Sequence, residues 1–405
     1  MTAVATGTID AAQSRIVTVL SLTQVAGGIG NGAVLSVGAL LLKDITGSDG
    51  WAGTATVMLT LGAAAITMPL ARVAATRGRR PSLALGWVTG GAGALVGVLG
   101  AVLTSLPLVL LALALAGAGA AAQLQSRFAA VDRAAPHQIG RAVSLVVWSN
   151  TVGAVIGPNL TGPGAPVARA VGVPELASPL LFAAVGFLVA GAITAVLLRP
   201  DPLAGRSAEG PARSTGMRAA LPLLRGRTVA AVIAIAATNA ALVMLMSLTP
   251  IHMQDNGAEL STIGLTVSLC IAGMFALSPA VGWLSDTVGP VPVVLAGQLL
   301  VLVGVLTAGS SGGTPVHITS GLVLVGLGWS GTVIAGAALL TAMLEPADRP
   351  TVQGFSDLAM NLAGAAGGLV AGLVMAVGGF VALSIVAALL TVPAVAAVLV
   401  TRERA

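Results

Sequence analysis

The sequence predicts an all-α polytopic membrane protein with twelve transmembrane helices in two pseudo-symmetric six-helix bundles. The two observations behind this prediction are a very apolar composition and a repeat that relates the two halves of the chain. Hydrophobic residues make up 56% of the 405 positions and charged residues only 8%, whereas soluble domains average about 25% charged residues. This composition excludes a soluble domain with a single membrane anchor.

The repeat has an offset of 211 residues. A single glycine match carries little weight, because the chain has 53 glycines. The proline and asparagine matches in the same register are far less expected by chance. Two copies of one unit in an apolar chain are typical of secondary transporters. The matched pairs are Gly78 and Gly289, Pro81 and Pro292, Gly86 and Gly297, Gly93 and Gly304, Asn150 and Asn361, Gly153 and Gly364, and Gly157 and Gly368.

Twelve apolar runs are long enough to span a bilayer, which takes about 20 residues. Glycine and proline inside such runs are normal for membrane helices. The runs cover residues 16–42, 51–72, 82–104, 108–131, 140–162, 178–198, 228–251, 260–283, 291–309, 316–343, 351–376 and 378–400.

The basic residues predict the orientation of these spans. With both termini in the cytoplasm, sixteen of the nineteen lysines and arginines fall on the inner side. Only Lys43 and Arg169 fall in outer loops, and Arg127 lies within a span. Positive charge is retained on the inside of membranes, so we expect this orientation in a bacterial cytoplasmic membrane. The polar start of the chain is not expected to be a cleaved signal peptide, because a full-length span follows it.

A polar stretch between the sixth and seventh runs divides the chain. Residues 199–227 carry six arginines and four prolines, which is typical of a flexible cytoplasmic linker that meets anionic lipid headgroups. The predicted domains are an N-terminal bundle of residues 1–198, this basic linker of residues 199–227, and a C-terminal bundle of residues 228–405.

Several classes of function are disfavoured by what the sequence lacks. The single cysteine, Cys270, excludes an internal disulfide. A phosphate-binding Walker loop and a paired catalytic constellation are both missing, so we expect neither an enzyme nor an ATP-driven pump, and no cofactor. The net charge of +5 reflects topology rather than nucleic-acid binding. We expect a monomer whose partners are lipid, a small solute and protons.

Two loops connect these observations to a family. Residues 71–81 read Ala-Arg-Val-Ala-Ala-Thr-Arg-Gly-Arg-Arg-Pro, and residues 282–289 read Gly-Trp-Leu-Ser-Asp-Thr-Val-Gly. Both resemble the Gly-x-Leu-Ala-Asp-Arg-x-Gly-Arg-Arg loop of the major facilitator superfamily. The resemblance implies a latch that holds neighbouring helices together when the cytoplasmic side is closed. Arg79 and Arg80 are candidate gating residues, and the alternative is that they serve only to orient the loop on the inner side of the membrane. Because Ala75 replaces the first aspartate, we expect Asp286 to be the stronger latch.

The fifth run carries a second motif of the family. Gly153 and Gly157 lie four residues apart, and Pro158 follows. This is similar to the Gly-x-x-x-Gly-Pro-x-x-Gly-Gly signature of proton-antiporting drug exporters, with one extra residue before Gly162. The similarity implies gating roles for Gly157 and Pro158. Simple close packing of two helix backbones is the alternative interpretation.

Asp357 is the leading candidate for proton coupling, because an acidic group at membrane depth is costly and usually functional. Asn361 lies one helical turn later on the same face. The repeat places Val146 opposite Asp357, so the fold itself does not require the acid. The alternative is a structural ion pair, either with Arg127 or with an arginine of the loop between the second and third runs.

Uncharged polar residues within the spans are candidate substrate contacts. We expect them to line a central cavity, with helix packing as the alternative for the repeat-related pair Asn150 and Asn361. The candidates are Gln24, Asn31, Gln123, Asn150, Asn239 and Asn361.

A sulfur cluster gives a different hypothesis. Met246, Cys270 and Met274 fall in the seventh and eighth runs, and soft sulfur ligands suit Cu(I). The segment resembles the corresponding helices of CcoA-type copper importers, with Leu242 and Cys270 where that group has Met and His. Relatives of that group carry riboflavin, and membrane methionines often only fill gaps.

The sequence therefore predicts a secondary transporter that works by alternating access. Its leading function is proton-coupled efflux of a small organic or amphipathic compound. The alternative is import of copper or a small vitamin through the sulfur-lined site. A membrane receptor or enzyme that transports nothing is disfavoured, because no soluble domain is present.

Overall fold

The computed structural model describes residues 3–47, 51–204 and 217–402. Within these ranges the regular elements are helices, and no strand occurs. The helices before the linker are α1 (Ala3–Thr46), α2 (Ala52–Arg77), α3 (Arg79–Val102), α4 (Leu106–Ala129), α5 (Ile139–Ile156), α6 (Thr161–Val171) and α7 (Ser178–Leu197). Those that follow are α8 (Met217–Ala220), α9 (Arg227–Asp255), α10 (Leu260–Phe275), α11 (Ser278–Val288), α12 (Pro290–Gly309), α13 (Pro315–Met343) and α14 (Arg349–Arg402).

The described residues contain eleven helical segments that are long and apolar enough to cross a membrane. The count differs from the predicted twelve because the last two predicted runs form one assigned element, α14. Gly379 interrupts α14 with φ 67° and ψ −166°, a conformation that only glycine adopts readily. The last two predicted spans therefore meet at a glycine turn, and the all-α membrane fold is confirmed.

Two compact units emerge from the internal contacts of the chain. The first unit contains residues 1–134, 149–220 and 345–358, and the second contains residues 135–148, 221–344 and 359–405. The start of α5 thus packs within the second unit, and the start of α14 packs within the first. In the predicted linker, residues 205–216 lie outside the described part of the chain, and the predicted domain boundaries remain a prediction.

The repeat-related glycines lie where two helix backbones approach closely. In the first unit, a Cβ atom added to Gly93 of α3 would lie 2.8 Å from the backbone nitrogen of Ala116 on α4. In the second unit, a Cβ added to Gly304 of α12 would lie 2.6 Å from the carbonyl oxygen of Gly321 on α13. Contacts this short leave no room for a side chain. The same pairing of helices in both units accounts for the repeated glycines.

Not every repeated position keeps its chemistry. In the first unit, the Trp87 ring lies directly against Gly27 of α1 and stacks on Phe187, with 6.0 Å between ring centroids. In the second unit, the repeat-related positions hold Gln298 and Thr238, and the Gln298 amide donates to the Thr238 hydroxyl at 2.6 Å. An aromatic contact in one half is therefore replaced by a buried hydrogen bond in the other.

Candidate functional site

A buried ion pair joins α4 to the first part of α14 within the first unit. Arg127 lies in the last turn of α4, and Asp357 lies about two turns after the start of α14. The Arg127 Nη2 donates to Asp357 Oδ1 at 2.5 Å, and the two side chains are only 2% and 1% exposed. The guanidinium also lies over the Phe128 ring, 4.8 Å from its centroid. Burying one of these charges without the other is strongly unfavourable, so the pair forms and breaks as a unit.

A second buried arginine extends this cluster. Arg79, the first residue of α3, binds Asp132 with its Nε 2.7 Å from Oδ2. Its Nη2 also donates to Gln353, which lies one turn before Asp357 on α14. We call Arg79, Arg127, Asp132, Gln353 and Asp357 the buried charge cluster. It holds two cations and two anions, and it fixes the start of α14 to α3 and α4.

The turn between α2 and α3 is held by an acid from the start of the linker. Gly78 forms this turn with a φ of 101°, a region that favours glycine. The Asp201 carboxylate accepts hydrogen bonds from the backbone nitrogen of Arg80 at 2.8 Å and from that of Arg79 at 3.2 Å. It therefore caps the N-terminus of α3, where a negative charge is favourable. Of the two predicted gating arginines, Arg79 joins the buried charge cluster, while Arg80 contacts Asp201 through its backbone.

Asp286 makes the corresponding contact in the second unit. Its two carboxylate oxygens accept the backbone N–H groups of Gly140 at 2.6 Å and Arg141 at 2.8 Å. These are the second and third residues of α5, so Asp286 caps the N-terminus of that helix. The geometry is that of a latch between α11 and α5. Its repeat-related position, Ala75, carries no acceptor.

The glycine motif of α5 packs against α1. A Cβ added to Gly153 would lie 2.6 Å from the backbone carbon of Gly28, and one added to Gly157 would lie 2.7 Å from the carbonyl oxygen of Ile29. α5 then gives way to a 3-10 turn over Gly157–Leu160. This contact supports the close-packing interpretation. The side chain of Pro158 lies outside the described part of the structure.

We predict that Gly157→Val strongly destabilises the protein, because a side chain at this position must push α5 away from α1. Gly372→Val is the matched control, since an added Cβ there has no neighbour within 4 Å. We expect the midpoint of thermal unfolding to fall for the first variant by several times the change in the second. Equal shifts of the two midpoints would contradict the role assigned to this crossing.

The predicted polar contacts of α1 and α4 are brought together within the first unit. The Asn31 amide donates to the side-chain oxygen of Gln123, and the Gln24 amide donates to the Gln123 carbonyl at 2.8 Å. Gln123 lies one turn before Arg127 on the same face of α4. The polar stripe of Gln123 and Arg127 is thus continuous along α4, with Asn31 beside it.

With this geometry established, comparisons with known proteins give the family. The family model described as Major Facilitator Superfamily matches residues 20–256 and 231–405. The chain belongs to the Major Facilitator Superfamily. It is therefore an integral membrane transporter and not an enzyme.

Individual relatives agree with this assignment. The chain is 34% identical over 398 residues to the uncharacterized MFS-type transporter YdeG of Bacillus subtilis, covering 96% of this chain and 92% of YdeG. It is 27% identical over 353 residues to the riboflavin transporter RfnT of Brucella anthropi, covering 86% of each. The crystal structure of a bacterial homologue of the iron transporter ferroportin, in its outward-facing state, superposes with a TM-score of 0.78. That match has 17% identity and covers 96% of this chain and all of the homologue.

The remaining asparagines divide between the units. Asn150 lies in the first unit, where its side-chain oxygen would meet a Cβ added to Gly28 at 2.5 Å. In the second unit, Asn239 donates to the carbonyl of Met360 at 2.9 Å and accepts from the Trp329 indole at 3.1 Å. Both asparagines thus pack between helices. Asn361 follows Met360 on α14 and is half-buried.

The sulfur-bearing residues lie on two helices of the second unit. Met246 lies on α9 and is half-buried, and Cys270 is a buried free thiol on α10. Met274 lies one turn after Cys270, where α10 packs against Gly326 of α13. The described residues contain no group of three or more His, Cys, Asp or Glu side chains able to hold a metal ion. Copper binding by the three sulfurs remains a prediction.

Two residues of the site escaped the sequence reasoning. Gln353 lies four residues before Asp357, so helical spacing alone indicates that both share a face. Asp201 follows the proline after α7, and nothing in its local sequence indicates that it caps α3. The partner of a capping residue depends on the tertiary fold, which local spacing does not contain.

Proposed function

We propose that this facilitator-superfamily protein is a proton-coupled secondary transporter in which Asp357 carries the proton. The single observation behind the proposal is the buried ion pair of Arg127 and Asp357. A structural ion pair is the alternative to proton coupling, and we propose that this pair also breaks when Asp357 takes up a proton. An ionised Asp357 holds the start of α14 against α4. Protonation removes its charge and so removes the attraction that keeps the pair together.

The position of the pair along α14 couples this event to a conformational change. Residues 345–358 belong to the first unit, and the rest of α14 belongs to the second. Release of Asp357 therefore frees a helix whose two parts contribute to different units. Asp286 performs the reciprocal function at the start of α5. In our proposal, loading a proton weakens one of two latches, and the two bundles then alternate access to a central substrate.

The substrate and the direction of transport are separate parts of the proposal. The apolar spans favour a small organic or amphipathic compound, and the signature on α5 favours export in exchange for protons. The alternative is uptake of a small vitamin or of copper through Met246, Cys270 and Met274. The similarity to the riboflavin transporter RfnT supports the vitamin version of this alternative. We further propose a monomer in a bacterial cytoplasmic membrane, with both termini inside.

The test is transport by the purified protein in liposomes under an imposed pH gradient. A panel of riboflavin, lipophilic cations, aromatic carboxylates and Cu(I) is assayed with the native chain and with Asp357→Asn. We expect the pH gradient to drive accumulation in the native chain only, while the variant retains downhill exchange. Glu175→Gln, which alters an exposed ion pair with Arg169, is the matched control and should behave as native. Gradient-driven accumulation by Asp357→Asn would refute the role of Asp357.

A further inference from the structure

We propose that the transported solute carries one negative charge and that Arg127 is its binding group. This inference rests on the proposed proton coupling and names the substrate class that it serves. Arg127 Nη2 is bound to Asp357, whereas its Nε and Nη1 have no hydrogen-bond partner among the described residues. A guanidinium presents a planar fork of donors that matches a carboxylate. The Arg127 side chain is only 2% exposed and has two guanidinium nitrogens without a hydrogen-bond partner among the described residues, so it can bind an anion.

Charge balance in the buried charge cluster gives the sign of the substrate. The charged groups that act on Asp357 are Arg127 on α4 and Arg79 on α3, and Arg79 is paired with Asp132. With Asp357 ionised, the two cations and two anions cancel. When Asp357 takes up a proton, the cluster holds one uncompensated buried cation, which is strongly unfavourable. A monoanion bound to Arg127 restores neutrality, whereas a cationic solute adds a second unpaired charge.

The polar stripe of α4 supplies the rest of the binding surface. Gln123 lies one turn from Arg127 on the same face and is half-buried. The Asn31 side-chain oxygen next to it also has no hydrogen-bond partner among the described residues. A solute whose carboxylate binds Arg127 reaches Gln123 and Asn31 with a hydrogen-bonding group about 6 Å away, the spacing of one helical turn.

The charge balance of the cluster also implies whether proton and solute move in the same or in opposite directions. The anion displaces Asp357 from Arg127, and the freed carboxylate then takes a proton from water. Each ligand thus favours binding of the other, because linkage is reciprocal. Proton and anion are carried together without net charge, so an inward proton gradient drives uptake of the anion. Binding of an anion at Arg127 keeps the proposed proton coupling through Asp357 but replaces export in exchange for protons with uptake together with a proton.

The test measures proton uptake in weakly buffered detergent solution, with benzoate as the probe and benzamide as its uncharged analogue. We expect the native protein to take up close to one proton from solution for each benzoate that it binds. Benzamide and the variant Arg127→Gln should give no such uptake. Proton release on benzoate binding, or equal uptake with benzamide, would overturn the proposal.

A second measurement isolates Arg127 from the proton. Asp357→Asn leaves Arg127 without its counter-ion, so benzoate and acetate should bind this variant about tenfold more tightly than the native chain. The double variant Arg127→Gln/Asp357→Asn should lose this binding. If neither anion binds Asp357→Asn more tightly, the anion site is wrong. Anion-linked proton uptake without gradient-driven transport would instead refute only the proposed coupling.

Discussion

Arg127→Met is expected to lower the free energy of unfolding by about 3–5 kcal/mol, because it leaves the Asp357 carboxylate buried without a counter-ion. Equilibrium or thermal unfolding of the purified protein measures this loss. The double variant Arg127→Met/Asp357→Leu should recover most of it, since replacing a buried pair by apolar groups is often close to neutral.

An exposed ion pair provides the control for this prediction. Arg169 and Glu175 lie 3.4 Å apart with side chains 68% and 62% exposed. Arg169→Met should therefore change stability by only about 0–1 kcal/mol. If Arg127→Met lowers the free energy of unfolding no more than Arg169→Met does, burial does not make the Arg127–Asp357 pair more stabilising than an exposed pair. The interpretation of the buried charge cluster as a stability-bearing latch would then fail.

Asp286→Ala is expected to destabilise the second unit by about 1–2 kcal/mol, because two N–H groups at the start of α5 lose their acceptor. Asp286→Asn keeps one acceptor oxygen and should lose roughly half as much. Thermal unfolding measures both changes. Equal losses of stability in Asp286→Ala and Asp286→Asn would show that the cap depends on the negative charge and not on the number of acceptor oxygens.

The repeat also suggests a variant that should gain stability. Ala75 occupies the position related to Asp286, and one turn earlier on α2, Ala71 packs against Gly354 of α14. Ala75→Asp should therefore reach the start of α14 as Asp286 reaches the start of α5. We expect a gain of about 0.5–1 kcal/mol in stability. Destabilisation by this variant would contradict the symmetry of the two latches.

The fold could be predicted from the sequence because the apolar composition and the 211-residue repeat directly indicate the number of spans and their arrangement in two halves. The apolar runs and the 211-residue offset depend on residue types that can be read directly from the chain. The predicted boundary between the last two spans lies within a few residues of Gly379, where a turn joins them without a polar loop.

The site was predicted less completely, and the reason is physical. The pairing of Arg127 with Asp357 was one of two interpretations, since charge and depth indicate a partner without naming it. The Gly153 motif indicated close packing, but which helix it meets depends on the fold. Gln24, Asn31 and Gln123 were placed in one lining, and the structure brings them together through hydrogen bonds. Met246, Cys270 and Met274 remain a prediction.

The asymmetry of the repeat is the more informative part of the site. Asp286 caps α5, whereas the repeat-related position holds Ala75. Asp357 pairs with Arg127, whereas the position related to Asp357 holds Val146. The repeat gives the two halves similar helix packing. Residues that differ between the halves are therefore the better candidates for binding the proton and the substrate. The chemistry proposed for transport is therefore assigned to positions at which the two halves differ.

The most direct test of the central claim is the infrared spectrum of the purified protein as the pH is lowered. A protonated carboxylic acid has a C=O stretch that a carboxylate lacks. We predict that acidification produces this band in the native chain, and that the band from Asp357 is missing in Asp357→Asn while it persists in Glu175→Gln. Identical acid-induced spectra of the native chain and Asp357→Asn would contradict the assignment of Asp357 as the proton carrier.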